Sequence, residues 1–172
     1  MTALRKQILI IDDQPSNLLT FGAALSDEFR LKIATSGEAG LRLAEKSPPD
    51  LVSLDIMMPG IDGYETCRRF KESPSLQTIP IIFITAMTEA EVGIAGLEVG
   101  AADYITKPFN IRLARQRIHA LLERETLRKE VASYHKHLAD LAAGQVDSHS
   151  LKDRLPIAPI TIPLPASPHG NC

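Results

Sequence analysis

Short apolar runs alternate with amphipathic stretches along this chain, and the alternation is regular enough to read as elements. "QILIID" (7–12) predicts a first strand. "PSNLLTFGAAL" (15–25) predicts a helix with Pro15 in its first turn, where a missing N–H costs nothing. "FRLKIAT" (29–35) predicts a second strand, and "SGEAGLRLAEK" (36–46) a helix capped by Ser36. "DLVSLD" (50–55) is the third strand. "DGYETCRRFKES" (62–73) is a helix in which Asp62 and Glu65 have the spacing of a capping box. "IPIIFITA" (79–86), "EAEVGIAGLEVGA" (89–101) and "DYITK" (103–107) supply strand, helix and strand, and a long helical pattern starts near Asn110.

Five strands alternate with five helices. The first, third and fourth strands are apolar nearly throughout, as strands buried on both faces are. The expected fold class is α/β: a flavodoxin-like (βα)5 doubly wound parallel sheet of strand order 2-1-3-4-5, with an extended C-terminal helix. One domain over residues 4–122 accounts for it. In the last helix, Ile111, Ala114, Ile118 and Leu121 form a stripe suited to covering the sheet. Beyond it, Leu127, Val131, Tyr134, Leu138 and Leu141 recur at steps of four and three. This is a heptad seam of about two repeats, so residues 123–143 are expected to form a helical extension able to make a short coiled coil. Residues 144–172 are Pro-rich and read as a disordered tail or linker.

Composition narrows the function classes. Apolar residues make up 44% and charged residues 23%, which suits a folded domain. A net charge of -2 leaves no electrostatic footprint for nucleic acid or for an anionic membrane. The arginines at 112, 115, 117, 124 and 128 are interleaved with acids and read as a solvated face. Cys67 and Cys172 have no metal-ligand spacing. The opening "MTALRKQILIID" has too short an apolar run for a signal peptide, and no run is long enough to cross a bilayer. The expected setting is reducing and cytoplasmic.

The polar residues that interrupt the apolar runs fall at strand ends: Asp12 and Asp13, Asp55, Thr85 and Lys107. Open parallel sheets bind ligands at their carboxyl ends, and order 2-1-3-4-5 makes strands one and three neighbours at the switch point. Asp12, Asp13 and Asp55 then converge. Three carboxylates in one crevice repel each other, and a divalent cation relieves this. Few, hard oxygen ligands suit Mg2+. A carboxylate beside Mg2+ can act as nucleophile toward a phosphoryl group, with Lys107 and Thr85 placed to meet its oxygens.

Together "IIDDQPSN" (10–17), "DIMMPGIDG" (55–63), "FITA" (83–86) and "ADYITKPF" (102–109) resemble the response-regulator receiver domain of two-component signalling, over about residues 6–122. The resemblance implies that Asp55 accepts a phosphoryl group from a histidine kinase or phosphotransfer protein. It implies that Asp12, Asp13 and the Met57 backbone carbonyl join Asp55 in holding Mg2+. Thr85 and Tyr104 would be the switch pair, and Lys107–Pro108 a cis peptide. The side chains of Met57 and Met87 would flank the phosphoryl group and modulate its loss. The chain would be a switch and not an enzyme, apart from self-phosphotransfer and slow autodephosphorylation. Its output would pass through the long helix to a homodimer or a partner.

Rival readings have weaker support. A phosphatase with an Asp nucleophile needs a second acid two residues on, where Met57 stands. A flavodoxin-like cofactor binder needs a phosphate loop rich in Ser, Thr or Gly, whereas "DDQPSN" is acidic. A receiver that binds partners without phosphate would have no need of the intact acids. A front module of a longer multidomain regulator or hybrid kinase fits the sequence as well as a stand-alone receiver does.

Overall fold

The computed structural model describes residues 4–144; the segment 145–172, expected to be a tail, lies outside the described residues. Strands β1 (Gln7–Ile11), β2 (Arg30–Ala34), β3 (Leu51–Asp55), β4 (Ile81–Thr85) and β5 (Asp103–Thr106) form one parallel sheet in the order 2-1-3-4-5. Helices α1 (Pro15–Leu25), α2 (Gly37–Lys46), α3 (Gly63–Glu72), α4 (Glu89–Glu98) and α5 (Ile111–Ala142) connect and follow them. The flavodoxin-like (βα)5 architecture read from the alternation is the one found.

Strand periodicity sorts the core into two layers. Leu9, Ile11, Val52, Leu54, Ile81 and Phe83 pack with Ala44, Cys67, Phe70 and Val92 from α2, α3 and α4. Ile8, Ile10, Leu51, Ile82, Ile84 and Ile105 pack with α1 and with Ala114, Ile118, Leu121 and Leu122 of α5. β1, β3 and β4 are buried at every position, which is why their sequences run apolar without alternating.

Local signals fix the helix ends, with some departures from expectation. Ser36 caps α2 by accepting from the Ala39 N–H. Asp62 caps α3 by accepting from the Glu65 N–H at 2.8 Å. The reciprocal arm of the expected capping box is absent among the described residues, because the Glu65 carboxylate pairs with Arg68 and Arg69 one turn on. α4 stops at Glu98 rather than reaching residue 101: Gly100 takes φ +88°, a left-handed conformation that ends the helix. Ile111 is 42% exposed and is not part of the sheet-covering stripe; it is the first residue of α5, and Leu122 takes the buried place instead.

The chain divides into two units after Arg128. Within the second, α5 continues to Ala142, with Val131 and Leu138 exposed and Tyr134 and Leu141 half-buried. Among the described residues no helix is long and apolar enough to cross a membrane.

Candidate functional site

The register assembles the site. β1 and β3 pair Ile11 with Leu54, so the next residues, Asp12 and Asp55, emerge level with each other. β3 and β4 pair Asp55 with Ile84, and β4 and β5 pair Thr85 with Thr106, which brings Thr85 and Lys107 to the same edge. Asp55 and Thr85 are the last residues of their strands. Asp12, Asp13 and Lys107 lie just beyond theirs rather than ending them. At a strand end the backbone turns away and frees the side chain, which suits a polar group.

One carboxylate oxygen from each of Asp12, Asp13 and Asp55 lies within 4.8 Å of the others. Lys107 Nζ stands 3.4 Å from Asp12 Oδ2 and 3.6 Å from Asp55 Oδ2. Asp12 and Asp55 are each only 5% exposed. Burial pushes the Asp55 carboxyl above its usual value; Lys107 and the Met57 N–H oppose this, while Asp12 and Asp13 add to it. Three carboxylates against one ammonium leave two negative charges uncompensated in a poorly hydrated crevice.

Backbone donors fix the orientation of these groups. Asp12 Oδ1 accepts from Gln14 N at 2.9 Å, Asp55 Oδ1 from Met57 N at 3.3 Å, and Thr85 Oγ1 from Met87 N at 3.0 Å. Each site residue thus holds the N–H two positions on, a turn native to Asp and Thr. Asp13 differs: its Oδ1 is buried and has no hydrogen-bond partner. A buried carboxylate oxygen without a partner is costly. A small divalent cation fits this donor set, because it needs hard oxygen ligands and would balance the two excess charges.

The remaining predicted residues stand around this centre. Tyr104 is half-buried and borders a cavity of about 370 Å3 shared with Phe83, Val92, Gly93 and Gly96, between β5 and α4. The Arg117 guanidinium lies 5.8 Å from its ring centroid. Met57 is 68% exposed, and it borders a second pocket of about 340 Å3 with Ile56, Met58, Asp62, Tyr64 and Met87. The Lys107–Pro108 peptide is cis.

Three residues escaped the reading of the sequence as site residues. Asn17 donates to Asp12 Oδ1 at 3.4 Å and to Gln14 Oε1 at 3.2 Å. It lies in the first turn of α1 and closes the stretch 10–17 that carries the family resemblance, but no spacing in the sequence aims its side chain at Asp12. Gly63 opens α3 against the end of β3, where a Cβ would come within 2.4 Å of the Asp55 carbonyl oxygen and 2.6 Å of Ile56 Cα. Its N–H donates to Ile56 O at 2.8 Å. Tyr64 follows it and faces Met87. Contacts between α3 and the loop after β4 have no trace in a linear pattern.

Residues 8–123 match the family model described as "Response regulator receiver domain". Among curated proteins, the chain is 40% identical over 116 residues to a Vibrio cholerae protein named "Probable cyclic di-GMP phosphodiesterase", covering 67% of this chain and 26% of that one. It is 31% identical over 150 residues to "Histidine kinase P4" of Formosa agariphila, covering 86% of this chain and 11% of that one. The chain therefore spans about a quarter or less of the length of these two relatives. The crystal structure of a CheY-like response regulator receiver domain protein from Methanospirillum hungatei superposes with a TM-score of 0.67 at 26% identity, covering 73% of this chain and 99% of that one.

Proposed function

The chain belongs to the response regulator receiver domain family of two-component signalling, and we propose that it is a phosphorylation-dependent switch whose Asp55 takes the phosphoryl group. The observation that carries this is the crevice itself: three converging carboxylates, one with an unpartnered buried oxygen, facing one lysine.

The donor would be the phosphohistidine of a histidine kinase or phosphotransfer protein. An Asp55 oxygen attacks phosphorus, the P–N bond breaks, and the departing imidazole keeps the electron pair. The product is a mixed carboxylic–phosphoric anhydride. Asp12, Asp13, Asp55 and the Met57 carbonyl would hold Mg2+, which when bound supplies positive charge to the acids and to the phosphoryl oxygens. Lys107 already touches Asp12 and Asp55, so it is placed to exchange one carboxylate for a phosphoryl oxygen. Burial restricts water and strengthens these interactions.

Thr85 would relay the event. Its hydroxyl proton is free to turn toward a new acceptor while its oxygen holds the Met87 N–H. Phe83 and Thr85 have the same parity on β4, and Phe83 pairs with Tyr104 on β5. A shift of Thr85 toward Asp55 would leave room that the Tyr104 ring can follow into, and the cavity beside that ring gives it space. Such a discrete repacking is a two-state element biased by a new charge. Met57 and Met87 would shield the anhydride, since neither thioether orients an attacking water well. Substituting Met57→Asn or Met87→Glu should shorten the acyl-phosphate lifetime; unchanged lifetimes would sink the shield.

The domain would act in the cytoplasm, without membrane or nucleic-acid contacts of its own and without turnover of an external substrate. Output would run through the stripe of Leu127, Val131, Tyr134, Leu138 and Leu141 to a second copy or a partner helix. A second reading, the receiver of a longer regulator or hybrid kinase, is supported by the small share of its relatives that the chain covers. Titration with acetyl phosphate and Mg2+, read by intact mass, tests the core assignment. One phosphoryl group should add to the wild type and none to Asp55→Ala; addition to the variant would refute it.

A further inference from the structure

Tyr64 connects two parts of the site that are far apart in sequence. Its hydroxyl donates to Met87 Sδ at 3.9 Å, within the reach of a sulfur acceptor. Its ring meets Phe83 edge-on, with centroids 5.5 Å apart at 71°. Phe83 is fully buried in β4, two residues before Thr85. Burial, with help from the Asp62 and Glu91 carboxylates, holds the phenol above its usual value, so it stays protonated and able to donate. The base of Tyr64 is equally fixed, because the preceding Gly63 is hydrogen-bonded to Ile56 and packed against the Asp55 backbone.

Met87 is thus tethered at two points, its N–H by the Thr85 hydroxyl oxygen and its sulfur by Tyr64. We propose that Tyr64 is a positioning residue for the phosphoryl site: by holding the Met87 thioether in the pocket that Met57 also lines, it sets how long the acyl phosphate on Asp55 survives. This rests on the receiver reading and deepens it. When Thr85 shifts toward the phosphoryl group it draws the Met87 backbone with it through the retained N–H bond to its hydroxyl oxygen, and the Tyr64 tether then keeps the thioether in place against water.

A double-mutant cycle on the full chain tests the idea. Tyr64→Phe keeps the ring and its Phe83 contact but loses the donor. Met87→Leu keeps an apolar side chain of similar size but loses the acceptor. After loading with acetyl phosphate and Mg2+, Tyr64→Phe should lose phosphate about two- to fivefold faster than wild type, the scale expected for one modest hydrogen bond. Met87→Leu should do the same, and adding Tyr64→Phe to it should change nothing further. In 13C-methyl spectra, Tyr64→Phe should move the Met87 resonance, whose sulfur loses its donor. Equal decay in Tyr64→Phe and wild type, or an equal acceleration with and without the Met87 sulfur, would overturn the proposal. Asp55→Ala run alongside separates the two readings: label that persists there refutes the receiver assignment, whereas Asp55-dependent label with unaltered decay refutes only the role of Tyr64.

Discussion

Asp55 keeps a carboxylate almost out of water with Lys107 as its nearest cation. Its proton affinity is raised in the fold, chiefly by burial. The sign of the consequence follows from linkage: a carboxyl whose folded pKa exceeds its unfolded value stabilises the fold below the unfolded pKa. That contribution is lost as pH rises through the folded pKa. In EDTA, Asp55→Asn should therefore melt above wild type at neutral pH. The gap should shrink as pH falls toward the ordinary carboxylate range, and a gap independent of pH between 4 and 8 would contradict the assignment of cause. Gly63 makes a complementary case at the same scale. Its Cβ position is occupied by backbone atoms of Asp55 and Ile56, which cannot swing aside. Gly63→Ala should cost about 1–3 kcal/mol in urea melts and slow phosphoryl uptake by displacing Asp55; full stability would show that α3 can back away freely.

At the scale of elements, legibility followed how local the cause was. Strands β1, β3 and β4 declared themselves because burial on both faces leaves a continuous apolar run. Ser36 and Asp62 declared their helices because a cap acts over three residues. The carboxylates, Thr85 and Lys107 were legible as polar residues ending apolar runs. Tyr64, Asn17 and Gly63 were not, because what makes them matter is a neighbour brought close by the fold. Ile111 misled for a related reason: periodicity says which residues share a stripe, not where along the helix the sheet begins to cover it. The heptad stripe is likewise visible as spacing, and Leu127, Val131 and Leu138 are indeed 55%, 53% and 61% exposed. Exposed apolar residues at that spacing carry a definite expectation. Replacing Leu127, Val131 and Leu138 together by Glu should leave the melting of the receiver unchanged while abolishing any dimer seen by light scattering. A monomeric wild type, with and without phosphorylation, would remove the seam as an output route.

For the whole molecule, the sheet and the site stand in tension. The sheet is stabilised by burying its three central strands, β1, β3 and β4, and the same burial forces Asp12, Asp13 and Asp55 together with too few partners. Such local inconsistency is expected where function has displaced stability. The arrangement also predicts how the fold answers to metal. A ligand that binds only the folded state stabilises it by RT ln(1 + [L]/Kd), about 2.7 kcal/mol at a hundredfold excess over Kd. Mg2+ should accordingly raise the melting temperature of the wild type, and EDTA should reverse the rise. Asp13→Asn replaces a carboxylate whose buried oxygen lacks a hydrogen-bond partner, so most of the Mg2+ response should vanish in it. Lys107→Met should act oppositely, because losing the competing ammonium leaves the acids more dependent on the cation: the metal-free protein should be destabilised and its Mg2+ response enlarged. A response to Mg2+ unchanged by both substitutions would mean that the cation binds elsewhere, and that the three acids tolerate their repulsion by some other means.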